Sequence, residues 1–336
     1  MYVVSASLDS SRDPSLDPSL DLVTGPLAGH VIGIDLGGTK TRFALASDGV
    51  IESDLVVPTA QWRSGDPGPD ASSLAGLIRG QWGAAALGLP VGLGAHGCDS
   101  TEQCHTMERQ LAAHVSGPVA VVNDAELMPL AMGVPGGIGL VAGTGSIAVA
   151  RDGQGELITA GGWGWVLGDE GSAAGIVRES VRAVLAELDH GRRTDPLVGT
   201  LLDGFGVGDG PELAMAVTRS SSADGWGAHA RLVFAAADSG SALAARVIDD
   251  AGRQLADLIP RLRARGVTSR DVVAGGGVLV AQPRLREAFS AGLAAGSPDV
   301  SVRILDTPPV VGAVALATSL TGSSLRTVST TPEVTS

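Results

Sequence analysis

One short design occurs twice in this chain and limits its fold more than any other feature. The stretch from Gly33 reads GIDLGGTKTRFALASDG, and the stretch from Gly137 reads GIGLVAGTGSIAVARDG. Each places an apolar strand, a Gly-Thr turn, a second apolar strand and an Asp-Gly pair in the same order. Such repetition is typical of a fold built from two related halves.

The spacing of apolar residues around the first copy predicts a mixed order of strands and helices. Strands are predicted at 31–36, 41–46, 50–57, 85–92 and 119–122, and helices at 72–82 and 101–115. Asp48-Gly49 is a typical two-residue hairpin turn between the second and third strands. The first half therefore reads as an α/β domain.

The same order restarts with the second copy. Strands are predicted at 138–142, 146–150 and 156–159, with Asp152-Gly153 as the outer turn, and a helix is predicted to open at Asp169. Mostly helical sequence continues to 265, followed by a strand at 271–274, a helix at 283–293, a strand at 300–305 and a helix at 310–320.

These elements predict a division of the chain into two lobes. We expect an N-terminal lobe at 29–132, a C-terminal lobe with a helical insertion at 133–308, and a closing helix at 309–321 that returns to the first lobe. The ends, 1–28 and 322–336, are rich in small polar residues and are predicted to be disordered.

The composition limits the partners that this chain can take. Its formal net charge of −13 repels phosphate backbones, so we expect no nucleic-acid partner. No apolar run is long enough to span a bilayer and the N-terminus lacks a signal-peptide pattern, so we expect a cytoplasmic protein without a membrane partner. Cys98 and Cys104 are the only cysteines, too few for a disulfide framework, and we expect ordinary thiols.

The two Gly-Thr turns have the composition of phosphate-binding loops. Glycine lacks a Cβ atom, so successive N–H groups of a tight turn can approach an anion closely, and Thr or Ser hydroxyls add donors. Two such turns, facing each other across a cleft, would hold a polyphosphate. Asp35, at the end of the first strand, is placed to hold the hydration shell of Mg²⁺. Ordinary hairpins whose glycines only relieve strain are the simpler alternative.

Two better-known nucleotide motifs do not fit. The P-loop requires adjacent Gly and Lys, but Thr39 separates Gly38 from Lys40, the only lysine of the chain. The segment GLGAHG at 92–97 matches GxGxxG, yet no strand with a terminal acidic residue follows at the ribose-binding distance. A dinucleotide-binding domain is therefore not expected.

Five segments together resemble a known superfamily. IDLGGTKT, VVNDAE, VAGTGS, GGWGWVLGDEGS and VVAGGGV occur in this order, as in the sugar-kinase/actin/Hsp70 superfamily. Within it, GGWGWVLGDEGS is similar to the BadF/BadG family and to N-acetylglucosamine kinase. The resemblance covers about residues 30–320. It implies an α/β fold of two ribonuclease H-like (actin-like ATPase) domains with a cleft between them, and ATP and Mg²⁺ as cofactors.

The resemblance also implies roles for the glycine-rich segments. The first phosphate turn would comprise Gly37, Gly38, Thr39 and Lys40, and the second Gly143, Thr144, Gly145 and Ser146. Asp35 would orient Mg²⁺ through water. The run Gly275, Gly276 and Gly277 would let adenosine lie against bare backbone.

Asp124 is the candidate general base. It follows an apolar strand, and the resemblance places it where it would accept the proton of the attacking sugar hydroxyl. Capping of a helix that begins near Ala125 is the structural alternative for Asn123 or Asp124. Asp169 stands with Glu170 at the predicted helix start, where an acidic residue favours the helix dipole. For Glu170 we expect only that structural role.

Several residues are candidates for holding the sugar. The resemblance implies contacts from Asp124, Thr144 and Asp169, and from Gly162 and Trp163 beside it. His96, in the loop GAHGC, could donate to the sugar, although a lone loop histidine is more often incidental. Members that act on amino sugars often carry an Asn after the third strand, where this chain reads PTAQW, so the chain departs from the amino-sugar pattern at that position.

The reading that follows is an ATP-dependent kinase. The expected acceptor is the 6-hydroxyl of an amino sugar, N-acetylglucosamine first and glucosamine second, and a homodimer is expected. ROK kinases share DLGGTKT, but the ExGH motif and the cysteine-rich zinc segment of that family do not occur here. A BadF-type ATPase activator would need cysteines for an iron–sulfur cluster bridging a dimer, and a non-enzymatic ATP-binding regulator would need an additional partner module.

Overall fold

The computed structural model describes residues 27–220 and 222–323. The predicted disordered ends, 1–28 and 322–336, lie outside the described residues apart from 27–28 and 322–323. The strands are β1 His30–Leu36, β2 Lys40–Ser47, β3 Val50–Pro58, β4 Val91–Ala95, β5 Val119–Asn123, β6 Ile138–Ala142, β7 Ser146–Arg151, β8 Leu157–Gly161, β9 Asp271–Gly275 and β10 Ser301–Ile304.

Helices cover most of the remaining described residues. They are α1 Pro67–Trp82, α2 Thr101–Ala112, α3 Leu127–Ala131, α4 Ala173–Asp189, α5 Pro196–Phe205, α6 Gly210–Arg219, α7 Ala223–Gly227, α8 Ala230–Asp238, α9 Ala242–Arg263, α10 Gly277–Ala281, α11 Pro283–Gly296 and α12 Val310–Ser323. Short 3-10 helices occupy Thr59–Gln61, Ala84–Gly88 and Asp124–Glu126. In the described part of the chain, no helix combines the length and the apolar character that crossing a membrane requires.

The first sheet has the strand order β3-β2-β1-β4-β5. Strands β1, β2 and β3 pair antiparallel, whereas β4 and β5 run parallel to β1. Asp48 and Gly49 have positive φ angles of 50° and 79°. Positive φ at both central residues matches the right-handed twist of the strands, so the predicted hairpin turn is confirmed.

The second sheet repeats this arrangement. Read from its antiparallel edge, its order is β8-β7-β6-β9-β10, with β9 and β10 parallel to β6. The strand with the glycine turn at its end, β1 or β6, therefore lies at the centre of each sheet. Two halves of equal strand order confirm the predicted α/β fold with an internal duplication.

The sheets contact each other through the segment that follows β5. A Cβ atom added at Gly139 of β6 would lie 2.1 Å from the Ala125 carbonyl oxygen, so the two backbones touch. The Glu126 carboxylate accepts from Arg151 of β7, with Nε at 2.7 Å and Nη2 at 3.1 Å. Asp124 therefore stands at the junction of the two halves.

Helix α12 packs on the first sheet at two glycines. A Cβ atom at Gly33 would lie 2.6 Å from Val314 N, and one at Gly92 would lie 2.3 Å from Ala313 O. Gly94 is packed under Leu127, whose Cδ1 would lie 2.3 Å from an added Cβ atom. The first two glycines of GLGAHG thus serve close packing, which explains why this GxGxxG is not a dinucleotide motif.

Three local predictions were wrong. The predicted strand at 85–92 is a 3-10 helix at Ala84–Gly88, followed by β4 from Val91, because this alanine-rich stretch has helical rather than strand propensity. The helix predicted to open at Asp169 begins at Ala173, with Ser172 as its N-cap. The turn after β7 spans five residues, because the Asp152 N–H bonds to the Glu156 carbonyl at 3.0 Å.

Candidate active site

The first Gly-Thr turn is braced from behind by Thr59. Its hydroxyl donates to the Gly37 carbonyl at 2.8 Å, and its N–H donates to the Thr39 carbonyl at 3.0 Å. Thr59 is buried and exchanges a further hydrogen bond with Thr41, 3.0 Å between hydroxyl oxygens. The threonine of PTAQW therefore shapes the turn, and the sequence patterns gave no signal for this role.

Asp35 and Asp124 come from the same edge of the first sheet. Asp35 lies at the carboxyl end of β1, and Asp124 directly follows β5, with the parallel β4 between them. Burial raises the pKa of Asp35 to about 6, and the negative charge of Asp124 adds to this rise, while Lys40 and Arg42 oppose it. The two carboxylates concentrate negative charge at this edge of the sheet, and a hydrated cation bound there would stabilise their charged forms.

Asn123 forms the capping box of the short 3-10 helix after β5. The Asn123 side chain accepts from the Ala125 N–H at 2.9 Å, and the Asn123 N–H donates to the Glu126 carboxylate at 2.9 Å, which closes a capping box. The Asn123 amide also donates to the Cys98 carbonyl at 3.1 Å. The Asp124 carboxylate accepts from the same Ala125 N–H through Oδ1 at 3.1 Å, while its Oδ2 faces His96 and the side chain is one-quarter exposed.

His96 joins Asp124 to the first glycine turn. Its Nδ1 lies 3.4 Å from Asp124 Oδ2, and its Nε2 would lie 3.5 Å from a Cβ atom placed on Gly38. The hydrogen bond to Asp124 raises the pKa of His96, against the opposing effect of burial. Arg63 fixes the loop by donating to the His96 carbonyl at 2.7 Å.

The second Gly-Thr turn closes over Asp169. The Gly143 N–H bonds to the Gly145 carbonyl at 2.9 Å, and a Cβ atom at Gly145 would lie 2.9 Å from Asp169 Oδ2. Burial raises the pKa of Asp169, while backbone N–H groups of Ser146 and Gly164 hold its charged form. The Ser146 hydroxyl donates to the Glu170 carbonyl at 2.7 Å, so both polar groups of Ser146 support this acidic turn.

Asp169 adopts an unusual backbone conformation for a residue with a side chain. Its φ angle is +55°, in the left-handed region that Asp and Asn tolerate better than most residues. The residue lies in a turn before α4, so the helix dipole does not explain it. Strain of this kind is concentrated at binding and catalytic sites, which makes Asp169 a functional candidate.

The loop 162–168 presents apolar side chains on a fixed backbone. Arg178 of α4 donates through Nη1 to the carbonyls of Trp165 and Gly168, at 2.6 and 2.7 Å. Gly162 has a φ angle of +72° and packs against Ile147. Trp163 is 73% exposed at the start of this loop.

The three glycines at the end of β9 have different surroundings: two pack against other residues and one lines a cavity. Gly275 packs on Met128, whose Sδ would lie 2.8 Å from an added Cβ atom, and Gly276 packs on Ala142 with a φ angle of +97°. Gly277 lines a cavity of about 330 Å³. The other residues of this cavity wall are Gly143, Thr144, Ala173, Asp224, Gly227, Ala228 and Val278.

The predicted site residues thus form two clusters. Asp35, Gly38, His96 and Asp124 gather at the first sheet, while the residues of the second turn gather with Asp169 and Gly277 at the second. The facing of Thr39 and Thr144 across a cleft stays a prediction. Sequence reasoning missed Arg178, which reaches from α4 back to the loop that precedes it, and Asp224, which reaches the second turn across 80 residues.

The composition of the first cluster suits Mg²⁺ held through water and phosphate. Mg²⁺ in kinases takes one or two carboxylates and completes its octahedron with phosphate oxygens and waters. Within the described residues, no group of three or more His, Cys, Asp or Glu side chains forms a closed metal site. The Asp35 carboxylate, with the negative charge of Asp124 near it, fits an ion held through water that depends on nucleotide for its direct ligands.

The two cysteines lie inside the first lobe. Cys98 is 8% exposed and Cys104 is 1% exposed, and the Cys104 thiol contacts the Cys98 carbonyl at 3.6 Å. The hydrogen bond between the thiols lowers the pKa of Cys98 and raises that of Cys104. Buried thiols in this position are poorly placed to bridge a cluster between two subunits.

The sequence matches a known family over most of its length. The model of the BadF/BadG/BcrA/BcrD ATPase family matches residues 32–317. An N-acetylmuramic acid/N-acetylglucosamine kinase of Clostridium acetobutylicum is 29% identical over 235 residues, which cover 67% of this chain and 76% of that protein.

Solved structures share the fold. A protein from Chromobacterium violaceum, assigned as an N-acetylglucosamine kinase, superimposes with a TM-score of 0.63 at 23% identity, over 87% of this chain and 100% of the other. One from Porphyromonas gingivalis with the same assignment gives a TM-score of 0.60 at 16% identity, over 86% of this chain and 99% of the other. At these identities the likeness establishes the two-domain, actin-like fold.

Proposed function

The chain belongs to the BadF/BadG/BcrA/BcrD ATPase family, and from that premise we propose that it is an ATP- and Mg²⁺-dependent sugar kinase. Its acceptor is the 6-hydroxyl of an amino sugar, N-acetylglucosamine in the first place. The observation that carries the proposal is the Asp124 carboxylate. It follows β5 beside the capping box that Asn123 forms, lies at the junction of the two sheets, and turns its second oxygen to His96 beside the first glycine turn.

Phosphoryl transfer requires mainly positioning and charge neutralisation. Gly37, Gly38, Thr39 and Lys40 would hold one part of the triphosphate, and Gly143, Thr144, Gly145 and Ser146 the other. Mg²⁺, when bound, neutralises the charge of the transferring group, and Asp35 would hold its hydration shell. Gly277, with Gly275 and Gly276 behind it, would support the adenosine.

Asp124 would act as the general base. Its carboxylate accepts the proton of the sugar hydroxyl as that oxygen attacks the γ-phosphate, and a positioned base of this kind contributes about 10²–10⁴ in rate. Asp169, Gly162, Trp163, Thr144 and His96 would hold the sugar. The backbone N–H groups of Ser146 and Gly164 favour the charged form of Asp169, and a charged carboxylate is suited to accept from sugar hydroxyls.

The assembly and location of the protein are also part of this proposal. We propose a cytoplasmic homodimer that binds neither nucleic acid nor membranes, in keeping with the formal net charge of −13. The lobes would comprise 29–132 and 133–308, with 309–321 closing on the first, in keeping with the packing of α12 at Gly33 and Gly92. Closure of the cleft on the sugar would exclude water from ATP.

A panel of acceptors tests the kinase proposal and its specificity. ADP release from Mg·ATP is measured by a coupled assay with N-acetylglucosamine, N-acetylmuramate, glucosamine and glucose as separate acceptors. We expect the highest kcat/KM with N-acetylglucosamine, and a glucosamine kinase is the second candidate. Turnover of glucose alone would contradict the amino-sugar assignment, and sugar-independent ADP release would favour an ATPase activator of the BadF type.

A further inference from the structure

Asp224 contacts the second phosphate turn from a distant part of the chain. The Thr144 hydroxyl donates to Asp224 Oδ1 at 3.2 Å, across a separation of 80 residues. Asp224 belongs to the short helix α7 in the helical region between β8 and β9. Nothing in the sequence patterns singled out this residue.

The position of Asp224 is set by the packing of α7. Gly227 lies against the start of α4, because a Cβ atom there would be 3.0 Å from Ala173 Cβ. Residues three apart share one face of a helix, so Asp224 faces the same side as Gly227. The Ala173 N–H in turn bonds to the Gly143 carbonyl at 2.8 Å, which connects α4 to the turn.

Trp226 anchors the other side of α7. Its indole N–H donates to the carbonyls of Val217 and Ser220, both at 3.1 Å. Its ring meets Trp165 edge to face, with 4.8 Å between ring centroids. Asp224 is thus held by tertiary contacts on two sides of its helix.

The cavity beside Asp224 is lined by the second Gly-Thr turn, by the glycine run after β9 and by the starts of α4 and α7. Gly143, Gly277 and Val278 supply backbone and a small apolar surface, in a volume of about 330 Å³. Among the described residues that line it, Asp224 alone is charged. A carboxylate has two acceptor oxygens and repels phosphate, so within a nucleotide it matches a neutral donor group, such as the paired hydroxyls of the ribose.

We propose that Asp224 accepts hydrogen bonds from the ribose hydroxyls of the nucleotide and makes the protein selective for ribonucleotide donors. This inference rests on the proposed function, because it assigns the sugar end of the ATP site. Binding of the ribose would release Thr144 from Asp224 and free its hydroxyl for phosphate.

A purely structural role for Asp224 makes a different prediction. An acidic residue in the first turn of a helix favours the dipole, and its removal would weaken α7. Such a change would reduce the affinity for every nucleotide alike. Recognition of the ribose instead affects only those nucleotides that carry the hydroxyl groups.

Calorimetric titration of the full chain with Mg·ATP, Mg·2′-deoxy-ATP and Mg·3′-deoxy-ATP distinguishes ribose recognition by Asp224 from a purely structural role. We expect wild type to bind ATP about tenfold or more tighter than at least one deoxy analogue, since hydrogen bonds to a charged acceptor are strong. Asp224→Ala should abolish this preference by weakening ATP alone, and Asp224→Asn should reduce it. Ser222→Ala, which removes the α7 cap and keeps the carboxylate, should retain it.

The outcomes separate this inference from the proposed function. Equal affinity of wild type for all three nucleotides, or an equal loss for all three in Asp224→Ala, would overturn the role of Asp224 and leave the kinase proposal standing. If wild type binds none of the three nucleotides, both the proposed function and this inference are wrong.

Discussion

His96 Nδ1 lies 3.4 Å from Asp124 Oδ2, and this contact connects the candidate base to the first Gly-Thr turn, where His96 Nε2 would lie 3.5 Å from a Cβ atom placed on Gly38. The loop that carries His96 is fixed on both sides of the residue. The His96 N–H bonds to the Leu36 carbonyl at 2.8 Å, and its own carbonyl accepts from Arg63 at 2.7 Å. The backbone of His96 is therefore fixed, and it places the imidazole within reach of the Asp124 carboxylate.

Replacement of His96 tests whether it positions the base or holds the sugar. If it orients Asp124, His96→Ala should lower kcat about tenfold or more and leave the KM values for sugar and ATP within about twofold. His96→Asn should recover part of kcat, because its amide can donate near the Nδ1 position. A rise in the sugar KM with unchanged kcat would instead support direct contact with the sugar.

Asp35 should make stability depend on pH. Its pKa of about 6 lies above the unfolded value of about 3.9, so the folded state holds the proton more tightly. The carboxyl group therefore lowers stability as pH rises from about 4 to about 6, and this loss is complete above that range. Asp35→Asn should be more stable than wild type at pH 7.5 by about 1–3 kcal/mol.

The measurement for Asp35 is urea unfolding of wild type and Asp35→Asn at several pH values. The difference should shrink as pH falls toward about 4, where both side chains are neutral. The variant should lose most of its Mg²⁺-dependent activity. A stability difference that does not change with pH would contradict the raised pKa.

Asp169→Asn separates sugar binding from nucleotide binding. Asn tolerates the left-handed backbone at this position, so the fold should be kept. We expect the sugar KM to rise about tenfold or more, because the carboxylate is a stronger acceptor than the amide. Glu170→Gln, one residue further on, is the control and should behave as wild type. An unchanged sugar KM in Asp169→Asn would remove this residue from the sugar site.

Gly92→Ala tests the packing of α12 on the first sheet. The added Cβ atom would lie 2.3 Å from the Ala313 carbonyl oxygen, so the helix must shift. Forced overpacking typically costs about 1–3 kcal/mol, and thermal unfolding should show this loss. Gly76→Ala in α1 meets no atom within 4 Å and should be neutral or stabilising. Equal stability of the two variants would contradict the close approach.

The parts of the fold that sequence predicts best are those with local signals. The two turn-linked hairpins, the Asp48-Gly49 turn and the α/β order follow from alternating apolar residues and glycine positions. The prediction of a strand at 85–92 was wrong because the alanines and glycines there show no clear apolar period. The strand that pairs with β1 is instead Val91–Ala95.

The site divides in the same way. Asp124 could be proposed from the sequence because it directly follows an apolar strand within a family motif, and its catalytic role stays a prediction. Thr59 and Asp224 are not, because one acts from a loop after β3 and the other from an inserted helix, and both reach their turns only through tertiary packing. The sequence left the capping residue open between Asn123 and Asp124, and the hydrogen bonds of the fold place the capping box on Asn123.

The most direct test of the account follows the phosphoryl group itself. Wild type and Asp124→Asn are incubated with Mg·ATP and N-acetylglucosamine, and ³¹P NMR identifies the products, with Glu102→Gln as a control in the exposed part of α2. We expect wild type and the control to form a phosphate ester coupled to the C6 methylene protons. We expect Asp124→Asn to bind Mg·ATP and form this ester about 10²–10⁴ times more slowly. Ester formation by Asp124→Asn at the wild-type rate, or inorganic phosphate as the sole product of wild type, would contradict the account.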